Sequence, residues 1–175
     1  MSVAIEDNVD QVSENVLSTT GNRLLDTLSE GLREELLALC KRVELAAGTV
    51  LYEPGEMPRY ADFLCSGVAS AAVGSSDGRI AEVGIIGREG VVGAMEVLGP
   101  EPGPTHCSIQ IEARALRMGF DEFRWQFRRS EELRTRVLEF VQLQALTLAQ
   151  LAACNRLHGA EQRLARWLLM RRDRT

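Results

Sequence analysis

The sequence predicts an α+β chain: an antiparallel β-roll with short helices before it and one long helix after it. Three observations predict this. Eleven of the 15 glycines fall between residues 48 and 103, where they separate short apolar runs; short strands at that spacing form an antiparallel sandwich or barrel-like roll. From Ser130 to Leu157 there is neither Gly nor Pro, so about 28 residues can run as one helix of about 42 Å. Charge also divides the chain. Residues 1–120 hold 9 basic and 18 acidic groups, net -9, whereas residues 121–175 hold 11 and 7, net +4, and all 11 basic groups are Arg.

The elements follow in order. Residues 1–19 are polar and acidic without periodicity and read as a frayed tail. Asn22 can cap a turn through Leu24, Leu25 and Leu28. Ser29 can cap a second helix with Leu32, Leu36, Leu37 and Cys40 on one face. Strands are expected at Thr49–Tyr52, Ala61–Cys65, Val68–Val73, Ile80–Ile86, Val91–Leu98, Ser108–Ile111 and Ala115–Met118. Pro54-Gly55 marks a turn, and Gly74–Gly78 reads as a hairpin loop with Asp77-Gly78 supplying the turn chemistry. Asp121 can cap a short helix over 122–129. Ser130 can cap the long one, with Glu131 and Glu132 at its positive end. His158 and Gly159 interrupt it as a hinge or cap. A final amphipathic segment follows, with Leu164, Trp167, Leu168 and Met170 inward and Arg163, Arg166, Arg171 and Arg172 outward.

The long helix is apolar on more than one side. Leu133, Val137, Phe140, Thr147, Leu151 and Cys154 fall near one heptad seam, which His158 continues. Leu138, Val141, Ala145, Leu148 and Ala152 form a second. One seam can cover the roll, and the other calls for a partner, most simply the same helix across a two-fold axis. The first seam is expected to hold the dimer-helix residues.

Composition narrows the chemistry. The 175 residues, 45% hydrophobic and 26% charged, suit one domain or one domain plus an appendage. The net charge of -5 argues against a surface coated for phosphate. Cys40, Cys65, Cys107 and Cys154 lie too far apart in sequence for zinc or iron-sulfur spacing. With an acidic start and no secretory signal, they read as reduced, buried thiols of a cytoplasmic protein. The uncharged stretch Phe140–Asn155 contains three Gln and one Asn and reads as too short and too polar to span a membrane. No nucleophile-base constellation, paired acids or metal spacing points to an enzyme.

Five stretches resemble the Crp/Fnr family of bacterial transcriptional regulators. They are Gly48–Glu56, Phe63-Leu-Cys-Ser-Gly67-Val-Ala, Ile85–Ala94, Met118-Gly-Phe-Asp-Glu-Phe-Arg and Asn155–Leu169, in that order. Together they span about residues 22–172. The resemblance implies a jelly-roll of the cyclic nucleotide-binding type as sensor, a dimerisation helix at 130–158 and a DNA-binding helix-turn-helix. Of the last, 160–175 supplies only a leading helix, and the chain is expected to lack the rest. The arginines of 163–174 then read as a solvated face rather than a phosphate-contacting patch.

In cyclic-nucleotide pockets of that family a Gly admits the phosphate, a Glu takes the ribose hydroxyl, an Arg-Ser pair takes the phosphate and a Thr-Ser pair on the long helix reaches the base. Here the resemblance keeps Gly93 but puts Ala94, followed by Met95, at the Glu. It puts Thr105-His106 at the Arg-Ser pair and Leu148-Ala149 at the Thr-Ser pair. Arg88 is near enough in sequence to compensate. Each lost charged hydrogen bond is worth about 1.5–3 kcal/mol, so cAMP and cGMP are disfavoured as effectors. The first 39 residues hold no Cys, which disfavours an iron-sulfur sensor. His106 and His158 are weak haem ligands, and Cys107 and Cys154 are weak redox switches. The expected function is the effector-sensing and dimerisation region of such a regulator, with a small-molecule effector. The alternative is a stand-alone dimeric protein-interaction scaffold without DNA binding.

Overall fold

The computed structural model describes residues 19–75 and 77–172. The acidic tail over residues 1–18, the outward placing of the Arg171 side chain and the last three residues lie outside the described parts. The elements are α1 (Arg23–Asp26), α2 (Glu30–Leu39), β1 (Lys41–Leu45), β2 (Val50–Tyr52), β3 (Tyr60–Leu64), β4 (Val68–Gly74), β5 (Ile80–Ile86), β6 (Val91–Val92), β7 (His106–Ile111), β8 (Ala113–Gly119), α3 (Phe120–Arg129), α4 (Glu131–Leu157) and α5 (Ala160–Arg172). A 3-10 turn at Glu96–Leu98 lies between β6 and β7.

The strands form two antiparallel sheets of four, ordered β1-β8-β3-β6 and β2-β7-β4-β5. The core they form with the helices buries Phe63, Leu64, Ile109, Leu116 and Met118. Each such side chain contributes about 1.5–3 kcal/mol when removed from water. The predicted roll is therefore the observed one. The β4–β5 hairpin closes where Asp77-Gly78 was expected, with Ser75 N donating to Arg79 O at 2.7 Å. Two strands differ from expectation. β1 was missed, because Lys-Arg-Val-Glu-Leu shows only its last residue buried. The run Val91–Leu98 is a strand for only two residues, since Gly93, at φ +94°, turns the backbone out of the sheet.

Asp62 is buried on β3. Arg117 on β8 donates to both of its carboxylate oxygens, at 2.7 and 3.0 Å, and stacks over the Tyr60 ring at 4.7 Å. A buried charge held this way is fully partnered. The entry helices are tied to the roll by polar contacts. Asn22 caps α1 as expected, accepting from Leu25 N, and its side-chain amide donates to Leu64 O at 2.9 Å and Gly90 O at 2.8 Å. Ser29 makes no side-chain cap to α2. Its backbone N–H and hydroxyl instead donate to Glu132, at 2.6 and 2.8 Å. Those donors hold the Glu132 carboxyl below its ordinary range, and they join α2 to the start of α4.

Three further expectations are corrected. Gly119, not Asp121, precedes the first turn of α3. Of the four thiols only Cys107 is fully buried; Cys40, Cys65 and Cys154 are half-exposed. In α5, Leu164 and Leu168 are exposed while Arg166 is half-buried. This helix lies back on the roll through Trp167, whose indole N–H donates to Glu82 at 3.2 Å. Ser130 caps α4 as predicted, accepting from Leu133 N.

The long helix packs differently from the expected division of its seams. Leu133, Val137 and Phe140, expected on the dimer seam, are at most 5% exposed and sit in the roll's core. Covered by their own chain, they are not available to a second copy. Thr147, Leu151 and Cys154 continue the same side and are half-buried. The far side carries Leu138, Ala145, Ala149 and Ala152, with Leu146 beside them, all exposed. Alone, α4 is long and apolar enough to cross a membrane, with a mean hydropathy of 1.4 over its most apolar window, so length does not exclude it as the sequence count suggested. Its first three turns are instead packed on the roll.

Candidate functional site

A cavity of about 270 Å³ opens between the roll and α4. The roll side is built by Tyr52, Ile86 and Val91, and by the loop Gly93, Ala94, Met95 and Glu96. Glu101, Gly103, Pro104 and Thr105 close it on one flank. The helix side is Phe140, Val141, Gln144 and Leu148. These last four fall on one face because their spacing follows the helical repeat.

Of the residues expected in a pocket, Gly93, Ala94, Met95, Thr105 and Leu148 line this cavity, and Arg88, His106 and Ala149 do not. Arg88 sits in the turn before β6, where its carbonyl accepts from Arg23 N at 2.7 Å. His106 lies 2.8 Å from the Glu53 carboxylate. Ala149 is exposed on the far side of α4. His158 caps the end of α4 in an extended conformation. Gly159 has no left-handed backbone and only the Gln162 side chain near the place of a Cβ. Its carbonyl accepts from Arg163 N at 3.2 Å, so it starts α5 rather than ending α4, and nothing in its geometry requires glycine.

The sequence did not reveal the polar centre of the cavity. Glu96 is 7% exposed. Burial raises its carboxyl above the ordinary 4.5, against smaller lowering by its own backbone and by the Tyr52 hydroxyl. Burial likewise pushes the Tyr52 phenol well up, and the neighbouring Cys107 and Glu96 add to it. Burial pushes the Cys107 thiol up to about 12, so it is not a thiolate nucleophile. A Cβ at Gly103 would lie 3.6 Å from the Thr105 hydroxyl and 3.7 Å from Glu96 Oε1. The Tyr52, Thr105 and Glu96 side chains therefore meet at one place. Among the described residues that line the cavity, the acids are Glu96 and Glu101, and there is no Lys, Arg or His.

A carboxyl whose folded-state pKa is raised supports the fold below its unfolded value and stops doing so as pH rises through the folded one. Glu96→Gln removes that dependence without changing shape. The variant is expected to melt at a higher temperature than the parent at pH 7 and at the same temperature near pH 4. Scanning calorimetry at the two pH values checks this, and equal melting at pH 7 contradicts a charge held at a cost.

Residues 42–130 match the family description "cyclic nucleotide-binding domain". That is half of the chain, and it covers both sheets. The chain belongs to this family. No curated protein matches its sequence. Among solved structures it is similar to the c-di-GMP responsive global regulator CLP of Xanthomonas campestris, at 17% identity over 80% of this chain and 70% of that one, TM-score 0.66. It is similar to the catabolite activator protein of Thermus thermophilus, at 15% identity over 75% of this chain and 62% of that one, TM-score 0.59. A third likeness is to the regulatory subunit of a cAMP-independent protein kinase A from Trypanosoma brucei, at 16% identity over 77% and 47%, TM-score 0.56. These likenesses establish the fold: a cyclic nucleotide-binding domain resembling Crp/Fnr regulators and kinase regulatory subunits.

Proposed function

We propose that the chain is the effector-sensing and dimerisation region of a Crp/Fnr-type transcription regulator in the cytoplasm. Its cavity takes a small molecule other than a cyclic nucleotide. Its reading of DNA belongs to a helix-turn-helix outside these residues. One observation carries the reading: a single cavity has the roll for one wall and Phe140, Val141, Gln144 and Leu148 of α4 for the other. A ligand held there contacts both, so it can favour one arrangement of α4 over another by its differential contacts.

The site's charge supports the exclusion of a cyclic phosphate. Among the described residues, two carboxylates and no cation line the cavity, where a bound phosphate needs an Arg or equivalent donor. In the trypanosomal structure bound to cAMP, the protein is a mutant with a glutamate changed to alanine and a threonine changed to arginine. Those changes remove an acid and add a cation, and the lining of the present cavity has the opposite balance.

The dimerisation reading is supported by the far side of α4, where Leu138, Ala145, Leu146, Ala149 and Ala152 form an exposed apolar stripe. A second copy of α4 across a two-fold axis covers it with small and large side chains interleaved. Native mass spectrometry is expected to give a dimer for the parent chain and a monomer with an unchanged fold for Leu146→Glu. A monomeric parent at tens of micromolar contradicts the dimerisation reading.

A further inference from the structure

We propose that this cavity binds a small organic amine, with its ammonium group between Glu96 and Glu101 and its apolar body against Phe140 and Leu148. The proposal rests on the effector reading above and adds the chemical class of the ligand.

Glu96 and Glu101 line the cavity, and among the described lining residues there is no Lys, Arg or His. Glu96 is nearly removed from water, whereas Glu101 is exposed at the edge of the site. A buried carboxylate without a counter-charge is a cost to the fold. An anionic ligand would add to that cost, and a cation would offset it. The Tyr52 and Thr105 hydroxyls stand beside Glu96 and can complete a three-donor ammonium's surroundings or orient the carboxylate towards it.

The walls suit the same ligand. The Phe140 and Tyr52 rings both line the space, and the face of an aromatic ring attracts a cation. The remainder of the lining is mainly aliphatic, which fits a hydrocarbon body. A metal ion would also neutralise the acids, but among the described residues no group of three or more His, Cys, Asp or Glu is placed to hold one. The volume, about 270 Å³, is at the small end of ligand pockets and suits one ring with a short arm.

Isothermal titration of the whole chain at pH 7 tests this with three probes that share a body and differ in the head group: 2-phenylethylamine, 2-phenylethanol and 3-phenylpropanoate. A charged hydrogen bond in a buried site corresponds to about a tenfold to hundredfold preference. The amine is therefore expected to bind one per chain at least about tenfold more tightly than the alcohol, and the carboxylate not to bind. Glu96→Gln, with its fold confirmed by circular dichroism, is expected to lose most of the preference for the amine over the alcohol, and Glu101→Gln less of it. Equal affinities in the parent, a preference for the carboxylate, or no amine binding at millimolar concentration overturns the proposal. Hydrogen exchange over residues 131–157, measured in the same samples, separates the two readings. Amine binding without any change there refutes the coupling to α4 and leaves the ligand class standing.

Discussion

Replacing Phe140 by alanine is expected to cost about 3–5 kcal/mol of stability and to free the long helix from the roll. Phe140 is 5% exposed and has two tasks. Its ring forms part of the cavity wall, and it covers Gly90 so closely that a Cβ there would lie 2.1 Å from the ring tip. Gly90 is itself held, because its carbonyl accepts from Asn22 Nδ2 at 2.8 Å. The contact thus joins α1, β6 and α4 at one point. Phe140→Ala removes the ring and leaves a void continuous with the cavity. Phe140→Leu keeps most of the volume and should cost markedly less. Gly90→Ala approaches the same contact from the other side. It pushes the ring outward, at about 1–3 kcal/mol for overpacking. Urea unfolding measures the stabilities, and hydrogen exchange over 131–157 measures the release of the helix. A Phe140→Ala protein with parental stability and parental protection of α4 would show that the ring is not the anchor.

The second large effect is expected at Gly67, in the turn between β3 and β4. Its φ of +79° lies in the left-handed region, and a Cβ there would fall 2.3 Å from the Glu112 carbonyl oxygen and 2.6 Å from Ala113 Cα. Both obstacles are backbone, at the crossing into β8, and cannot rotate away. Gly67→Ala adds the left-handed penalty of about 1–2 kcal/mol to overpacking of about 1–3 kcal/mol, so a loss of about 3 kcal/mol is expected. Gly55 is the control. Its φ is +78° but nothing lies within 4 Å of a Cβ, so Gly55→Ala should cost only the backbone term, about 1–2 kcal/mol. Thermal unfolding of the two variants gives the difference. Equal losses would show that the close approach of Glu112 relaxes without cost.

The roll was legible because glycine-punctuated apolar runs have few other uses, and Ile80–Ile86 was bounded to the residue. The long helix was legible from its lack of Gly and Pro. What periodicity cannot say is which body covers a face. Leu133, Val137 and Phe140 have the spacing of a dimer seam, and the roll of the same chain covers them. β1 escaped notice because it is an edge strand paired only with β8, and its charged residues face water. Glu96 escaped for a different reason. It follows an apolar pair and a glycine in sequence, and only the 3-10 turn after β6 carries it under Tyr52. A buried acid leaves no local signal, whereas a motif position such as Gly93 does. Arg88 shows the converse, since proximity in sequence to Gly93 did not bring its side chain to the cavity.

The central claim is that this cyclic nucleotide-binding fold encloses a cavity whose chemistry rejects a cyclic phosphate. Calorimetric titration of the chain with cAMP and with cGMP tests it most directly. The account predicts no saturable heat up to about 1 mM ligand, a binding free energy weaker than about -4 kcal/mol. A one-to-one isotherm with a micromolar dissociation constant for either nucleotide would contradict it.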